Sequence, residues 1–268
     1  MQPIPTRPTA LVTGASAGIG QAFCRLLASQ GYDIIAVARR SERLASLARE
    51  LNSAHAIEVL PLSIDLGAPD AVARLLSAMA GRDIDVLINN AGYGVPGRYL
   101  SHEWSVHERF QRVMIESVAE LSHALVAPMC ARGRGTIINV ASLAGYLPGS
   151  AGHTLYAASK AWMIRFSESL ALECEVDGVR VCALCPGFTF SEFHDVTGTR
   201  AQLASLPKWL WMSAERVAAE GWSAAATGRL VHIPGRINRL IAMLAGALPR
   251  ALTHAVSRRE SRRFRDIH

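Results

Sequence analysis

The 268-residue chain is half hydrophobic, and 19% of its residues are charged, which suits a single large α/β domain. No run of 18 or more apolar residues indicates a transmembrane span. The start of the chain, Met1 to Pro8, carries three prolines and lacks the apolar stretch of a secretory signal, so we expect a short flexible lead over residues 1–8. These features favour a cytoplasmic globular protein.

The excess of basic charge is confined to the C-terminus. Residues 229–268 hold nine arginines against two acids, a balance of +7, while the whole chain carries +6. The rest of the chain is therefore close to neutral, and we expect no nucleic-acid partner. Residues 236–268 are predicted to form a basic helical extension after the main domain.

Five scattered cysteines give an odd count, which favours reduced thiols over a disulfide framework. Cys182 and Cys185 form a C-x-x-C sequence, a spacing found in redox and zinc sites. They lie in an apolar run that predicts a buried strand, and no second cysteine or histidine pair matches them. We therefore predict no metal site.

Short apolar runs alternate with segments of helical periodicity along the chain. Strands are predicted at 9–13, 34–38, 56–62, 86–89, 135–141, 179–185 and 230–233. Helices are predicted at 17–29, at 42–51 with Ser41 as N-cap, and at 69–80, 102–132 and 153–175. Strands that are apolar throughout are covered by helices on both faces of a sheet. The chain therefore predicts an α/β fold: a single doubly wound Rossmann-type domain over residues 9–235, with a seven-stranded parallel sheet and a ligand crevice at the carboxyl ends of its strands.

Three glycines, Gly14, Gly18 and Gly20, stand between the first strand and the first helix. Glycine allows a tight turn and a close approach of a ligand to the backbone. The helix N-terminus offers N–H groups and a positive dipole to a phosphate. Together with Ser16 and Ile19, these glycines are predicted to bind the pyrophosphate of a dinucleotide.

Arg39 and Arg40 follow the second strand, where NAD-binding proteins usually carry an acid for the ribose 2′-hydroxyl. An acid repels a 2′-phosphate, whereas guanidinium groups pair with it. The sequence therefore predicts NADP, with NAD less favoured. The alternative is two solvated arginines at the start of a helix.

Tyr156 and Lys160 are four residues apart in a predicted helix and share one face, as any such pair does. The pair indicates a function only because other motifs precede and follow it in a set order. Over about residues 9–233 the chain resembles the short-chain dehydrogenase/reductase family. The motifs that carry the resemblance are the Thr13–Gly20 loop, Asn89-Asn90-Ala91-Gly92, Ser142, Tyr156-x-x-x-Lys160 and Pro186-Gly187.

The resemblance implies an enzyme that interconverts a ketone and a secondary alcohol, with Ser142, Tyr156 and Lys160 as catalytic residues. A ketone reduced by hydride needs a proton, and a phenol with a pKa near 10 is a poor donor at neutral pH. The Lys160 ammonium and the positive charge of an oxidised nicotinamide favour the phenolate, so we expect them to lower the pKa of Tyr156. Ser142 would orient the substrate carbonyl.

The same resemblance implies further contacts to the cofactor, and a homodimer or homotetramer. The implied contacts are Asp65 to adenine, Asn90, Ala91 and Gly92 along the cofactor, Lys160 with Tyr156 at the nicotinamide ribose, and Pro186, Gly187 and Thr189 near the nicotinamide or its phosphates.

One position departs from the family pattern. Met114 stands where many members carry an asparagine that holds a proton-relay water, and methionine has no N–H to offer. Three interpretations are open: a shifted alignment, a water held by another group such as the helix backbone or Ser117, or a slow or non-catalytic protein. We favour the second because Ser142, Tyr156 and Lys160 are all present. The alternative function is a dinucleotide-binding protein that senses cofactor or scaffolds a partner.

The segment after Pro186-Gly187 bears on the substrate. Its apolar residues are Phe188, Phe190, Phe193, Leu203, Leu206, Trp209, Leu210 and Trp211. Beside the reacting centre they favour a small hydrophobic carbonyl or alcohol substrate, and they suit packing on the core equally well.

The C-terminal extension carries an apolar stripe at helical spacing. The stripe consists of Ile237, Leu240, Ile241, Leu244 and Leu248. After Pro249, a second short helix with Leu252, Ala255 and Val256 precedes Arg258, Arg259, Arg262, Arg263 and Arg265. A stripe with a basic end suits peripheral contact with a membrane. Packing on the body or on a second subunit is the alternative that we favour.

Overall fold

The computed structural model describes residues 7–152, 154–192 and 207–261. The strands are β1 (Thr9–Thr13), β2 (Asp33–Ala38), β3 (Val59–Ser63), β4 (Val86–Asn89), β5 (Gly135–Val140), β6 (Val179–Leu184), β7 (Thr189–Phe190), β8 (Met212–Ser213) and β9 (Val231–His232). Seven of them form one sheet in the order β3-β2-β1-β4-β5-β6-β9, and every pairing is parallel. The predicted seven-stranded parallel sheet is confirmed, and β7 pairs with β8 apart from it.

The helices cover both faces of this sheet. They are α1 (Gly18–Ser29), α2 (Ser41–Ala54), α3 (Ala71–Ala78), α4 (Trp104–Gln111), α5 (Ser117–Ala131), α6 (Thr154–Cys174), α7 (Ala214–Ala226), α8 (Arg236–Ala247) and α9 (Arg250–Ser261). On one face, Phe23 of α1, Leu47 of α2 and Val217 of α7 join one core cluster. On the other, Leu75 of α3 and Leu121 of α5 join a second cluster. The doubly wound architecture is therefore confirmed.

The lead peptide is fixed from Arg7 onward. Its guanidinium pairs with Asp33 at 3.0 Å and donates to the Ala56 carbonyl at 2.8 Å. Asp33 also accepts a hydrogen bond from the Glu58 N–H. Ala56 and Glu58 are therefore bonded to side chains, and β3 begins at Val59, later than predicted. Arg7 thus has partners within the fold, residues 1–6 lie outside the described residues, and a flexible lead stays a prediction.

The start of α2 differs from the prediction. Ser41 is the first helical residue, and Arg40 occupies the N-cap with extended backbone angles (φ −92°, ψ 91°) and no side-chain bond to the helix. The predicted Ser41 cap is therefore wrong. The Arg40 side chain reaches the glycine loop instead, where it donates to the Ser16 hydroxyl.

The predicted helix over 102–132 is interrupted by a π turn at Arg112–Glu116, between α4 and α5. Such turns often mark functional positions, and Met114 lies at the centre of this one. Within the described ranges, Trp104–Ala131 is the single helical stretch with the length and mean hydropathy (1.3) of a membrane span. A core helix passes the same test, and 44% of its apolar window is buried in the protein.

Candidate active site

A cavity of about 760 Å³ lies beyond the carboxyl ends of the sheet strands. Its walls include residues that follow β1, β2, β4, β5 and β6, which is where parallel α/β sheets bind ligands. The sequence-predicted site residues that line it are Gly14, Ser16, Gly18, Ile19, Arg39, Arg40, Asp65, Asn90, Ala91, Gly92, Ser142, Tyr156, Lys160, Pro186, Gly187 and Thr189.

Gly20 is a predicted cofactor contact that does not line the cavity. A Cβ added to it would lie 2.4 Å from both Asn90 Nδ2 and the Gly14 carbonyl oxygen. Gly20 therefore allows α1 to pack closely against the loops after β1 and β4. The structure shows a packing role for Gly20 beneath the site, and its contact with a cofactor stays a prediction.

The glycine loop has the geometry of a phosphate cradle. Gly14 (φ 67°) and Gly18 (φ 55°) both adopt the left-handed conformation that favours glycine. A Cβ on Gly14 would also lie 2.6 Å from Asn90 Nδ2. Ala17, at the N-cap of α1, gives no side-chain bond to the first N–H groups of the helix. These N–H groups and the positive helix end fit the pyrophosphate of a dinucleotide.

The loop after β4 is held by the hydroxyl group of Thr13. This hydroxyl donates to the Ile88 carbonyl at 3.2 Å and accepts from the N–H groups of Asn90 and Ala91 at 2.9 and 3.0 Å. The Asn90 side chain donates back to the Thr13 and Gly14 carbonyls. Asn90 therefore fixes the two loops together and, with its neighbours, lines the cavity.

Basic side chains gather at the end of β2. Arg40 donates to the Ser16 hydroxyl at 2.9 and 3.2 Å, and Arg39 lines the cavity beside it. Arg43, one helical turn further along α2, joins Arg40 in an ion pair with Glu192. These guanidinium groups fit a 2′-phosphate. Sequence reasoning missed Arg43 and Glu192 because only the fold brings them together.

Asp65 lines the cavity, but its carboxylate already has protein partners. One oxygen accepts from the Gly67 N–H at 3.0 Å, and the other pairs with Arg109 of α4. Arg109 also lines the cavity, and sequence reasoning missed it because an arginine on a helix usually faces solvent. The adenine contact of Asp65 stays a prediction.

Ser142, Tyr156 and Lys160 meet in the cavity. Ser142 follows β5 and its hydroxyl hydrogen-bonds Tyr156, while Ala144 N–H donates to Ser142 Oγ at 3.1 Å. Lys160 is buried, with its Nζ 5.8 Å from the centre of the Tyr156 ring and 2.7 Å from the Val140 carbonyl oxygen, to which it donates. The three predicted catalytic side chains therefore share one wall.

The pKa values of this group differ from the sequence-based expectation. Burial raises the pKa of Tyr156 to about 12, and the hydrogen bond from Ser142 opposes the rise. Burial also lowers the pKa of Lys160 to about 8. Desolvation disfavours both charged forms, and the ammonium is directed at the Val140 carbonyl. In the protein alone, the pKa of Tyr156 is therefore raised by burial, not lowered as the sequence-based expectation had it.

Met114 is fully buried next to the loop after β4. Its Sδ lies 3.0 Å from the position of a Cβ added to Gly92, so it packs under that loop. Ser117, the polar group we expected to hold a relay water, donates to the Val113 carbonyl at 2.9 Å. Its oxygen keeps the capacity to accept a hydrogen bond. The alternative relay stays a prediction.

Cys182 and Cys185 are buried at β6 and directly after it. Burial raises the pKa of both thiols, that of Cys182 to about 12. The thiolate needed for metal binding or redox chemistry is therefore disfavoured. Among the described residues, no group of three or more histidine, cysteine or acidic side chains is placed to hold a metal ion.

Apolar groups form the opposite end of the cavity. Phe188, Leu143 and Leu147 line it, and Trp211 packs behind Phe188 with ring centres 5.5 Å apart. Trp211 also stacks on Phe190 at 5.1 Å. Of the other apolar residues predicted for this segment, Trp209 is exposed and Leu210 is partly buried. Phe193, Leu203 and Leu206 lie outside the described residues.

The C-terminal helices complete this end of the site. Thr253 and Ser257 of α9 line the cavity, and Ser257 donates to the Gly149 carbonyl. Asn238 of α8 is buried, and a Cβ added to Gly187 would lie 2.5 Å from its Oδ1. The extension therefore packs on the body through Asn238 and Ser257, which do not belong to the predicted apolar stripe. Sequence reasoning missed its contribution to the cavity.

The apolar stripe of α8 lies on the outer side of the helix. Ile237, Leu240, Leu244 and Leu248 are exposed, and only Ile241 is partly buried. Packing of the stripe on the body, one half of the favoured interpretation, is therefore wrong for these four residues. Contact of this outer face with a membrane or with a second subunit stays a prediction. Of the predicted tail arginines, Arg258 is exposed. Arg262, Arg263 and Arg265 lie outside the described residues, as does the side chain of Arg259.

A doubly wound parallel sheet with a phosphate cradle at its switch point defines a dinucleotide-binding protein. The short chain dehydrogenase family profile matches residues 8–201. The chain therefore belongs to the short-chain dehydrogenase/reductase family, whose members are nucleotide-dependent oxidoreductases.

Individual relatives agree with this assignment. A 7beta-hydroxysteroid dehydrogenase of Collinsella aerofaciens is 30% identical over 181 residues, which cover 68% of each chain. A short-chain dehydrogenase from Sphingobium yanoikuyae in complex with NADPH superposes with a TM-score of 0.79 at 27% identity, over 97% of this chain and 96% of the other. The bulky-bulky ketone specific alcohol dehydrogenase from Comamonas testosteroni gives a TM-score of 0.75 at 26% identity, over 91% and 96%.

Proposed function

We propose that this protein is an NADP-dependent oxidoreductase that interconverts a ketone and a secondary alcohol on a bulky hydrophobic substrate. The observation that carries the proposal is the hydrogen-bonded Ser142–Tyr156 pair, with the buried Lys160 beside it, in a cavity that also holds a phosphate cradle. The arginines after β2 favour NADP, as does the NADPH complex of the Sphingobium relative.

The residues of the chain account for the proton in this reaction. When bound, the cofactor supplies or accepts the hydride. In the reducing direction, Tyr156 donates its hydroxyl proton to the carbonyl oxygen. Ser142 turns its one hydroxyl hydrogen from Tyr156 to the substrate oxygen and so orients the carbonyl. Lys160 adds a positive charge near the phenolate, and the proton returns to Tyr156 from solvent.

The apolar end of the cavity supports a bulky hydrophobic substrate. Phe188, Leu143 and Leu147 offer no charge to a polar ligand, and apolar walls select ligands of matching shape. The Comamonas relative is a bulky-bulky ketone specific alcohol dehydrogenase, and the Collinsella relative is a 7beta-hydroxysteroid dehydrogenase. A polycyclic or long-chain ketone is therefore the substrate class that we propose.

A ketone panel with NADPH tests the proposal. We expect kcat/KM to rise from a small aliphatic ketone through acyl chains of increasing length to polycyclic ketones, by roughly tenfold or more for each well-fitted apolar group. Tight NADPH binding without oxidation by any ketone would support the alternative, a protein that senses the cofactor. Equal rates for small and bulky ketones would contradict the proposed substrate class, but they would agree with the proposed ketone–alcohol interconversion.

A cytoplasmic homodimer or homotetramer belongs to the same proposal. Trp104 and Val106 of α4 are exposed apolar side chains, and neighbouring exposed apolar groups are typical of interaction surfaces. Light scattering after size-exclusion chromatography measures the assembly. A monomer at micromolar concentration would contradict this part of the proposal.

A further inference from the structure

A carboxylate of the chain itself sits among the arginines at the ribose end of the cavity. Glu192 follows β7 by two residues, yet it reaches α2. Its oxygens accept from Arg40 Nη1 at 2.7 Å and from Arg43 Nη1 at 2.5 Å. These bonds hold the pKa of Glu192 below its ordinary value, so the group is charged at neutral pH.

This carboxylate uses the N–H groups that a 2′-phosphate needs. Carboxylate and phosphate oxygens make the same charge-assisted bonds with guanidinium. Arg40 is also fixed from its other side by the Ser16 hydroxyl, so it cannot turn to a second anion without loss. Glu192 and a 2′-phosphate therefore compete for the same arginines.

The segment that carries Glu192 crosses the cofactor cradle. Thr189, Ser191 and Glu192 all line the cavity. A Cβ added to Gly18 would lie only 2.9 Å from the Ser191 Cβ, so the segment runs directly over the glycine loop. Its start lies next to Gly187, at the catalytic end. Residues 189–192 thus connect the catalytic end to the arginines.

We propose that Glu192 is a specificity-determining residue that occupies the 2′-phosphate site as an internal anion until the cofactor displaces it. The inference rests on the proposed preference for NADP. A cofactor with a 2′-phosphate replaces the carboxylate on Arg40 and Arg43 and frees residues 189–192. A cofactor without this phosphate leaves the ion pair of Glu192 with Arg40 and Arg43 intact. Because the coupling is reciprocal, breaking the ion pair must strengthen binding of the 2′-phosphate.

The Glu192→Gln variant tests the competition, because glutamine keeps the size and removes the charge. Calorimetry at low salt would compare 2′,5′-ADP, which carries the phosphate, with 5′-ADP, which lacks it. We expect 2′,5′-ADP to bind about three- to tenfold more tightly to the variant, the scale of two exposed ion pairs, with 5′-ADP unchanged. High salt should reduce the gain because it screens the pair.

Glu50→Gln is the matched control, since Glu50 forms a two-bond pair with Arg25 on the surface and does not line the cavity. We expect it to change neither affinity. Thermal unfolding of each variant shows that the fold is kept.

Other results would overturn the inference. Unchanged 2′,5′-ADP affinity in Glu192→Gln would show that the carboxylate does not compete. Equal tightening of both nucleotides would show a general obstruction instead. Weaker 5′-ADP binding to Glu192→Gln would show that Glu192 binds the ribose hydroxyl. The proposed NADP preference itself would be refuted by a different result. In that case wild-type protein would bind both nucleotides equally, and Arg40→Gln would change neither affinity.

Discussion

The two ends of the cavity are built in different ways. The cofactor end is made by short loops directly after strands, such as the Thr13–Gly20 loop, and hydrogen bonds fix them. The substrate end is made by Phe188 and by Thr253 and Ser257 of the last helix, which come from outside the central sheet. Under the proposed function, the difference means that the chemistry depends on loops tied to the sheet, while the substrate is selected by segments that lie over it.

The sharpest test of the shared chemistry is Tyr156→Phe. Loss of the proton donor should lower kcat by at least about a thousandfold, within the range of general acid catalysis, while NADPH affinity stays near wild type. Tyr146→Phe is the matched control, because Tyr146 is also half-buried near α6 but does not line the cavity. Substantial turnover in Tyr156→Phe would show that another group supplies the proton.

The cofactor end is tested by Arg40→Gln. Removal of a charged hydrogen bond, worth about 1.5–3 kcal/mol, should lower kcat/KM for NADPH by roughly ten- to a hundredfold and leave NADH little changed. Arg74→Gln removes an exposed arginine on α3, away from the cavity, and should change neither. A parallel loss with NADH would mean that Arg40 supports the glycine loop and does not read the phosphate.

The substrate end is tested by Thr253→Trp. A larger side chain in the wall should lower kcat/KM for a bulky ketone by roughly tenfold or more, while a small ketone and NADPH are little affected. The neighbouring His254→Trp is the control, because His254 is exposed on the same helix. If NADPH affinity falls together with ketone turnover, the two ends are not independent.

Met114→Asn tests the relay position, where Met114 packs under the loop after β4. If another group holds the relay water, kcat should change by less than about tenfold. The buried amide should lower the free energy of unfolding by roughly 1–3 kcal/mol. Met114→Leu conserves volume and should cost less than about 1.5 kcal/mol. A rise of several orders of magnitude in kcat would mark the natural protein as impaired.

Lys160→Met tests whether burial lowers the pKa of Lys160 in the folded protein. The pKa of Lys160 is lowered from 10.5 to about 8 in the folded protein, so the unfolded chain holds a proton that the folded one releases between these values. The wild-type free energy of unfolding should therefore rise with pH above about 8, relative to the variant, by up to about 1.4 kcal/mol per pH unit. Lys208→Met, an exposed control, should show no such difference.

The sequence predicts the sheet, and the loops after β1 and β4 that line the cavity, because both depend on local patterns. Apolar runs mark the strands, and the glycine loop and the Asn90 loop follow them directly. The contacts of Arg43, Glu192 and Arg109 could not be predicted, because they join residues far apart in the chain. The π turn around Met114 also lacks a local signal, since its residues are compatible with an ordinary helix.

The buried Lys160 has a consequence for amine chemistry. The chain contains only two lysines, and the other, Lys208, is exposed. A pKa of about 8 leaves much of the Lys160 amine neutral, and therefore nucleophilic, at mildly alkaline pH. A small acylating reagent that enters the cavity has two side-chain amines to modify, whereas a ligand in the cavity would shield one of them. Intact-mass spectrometry can therefore report occupancy of the site as a count of acylated lysines.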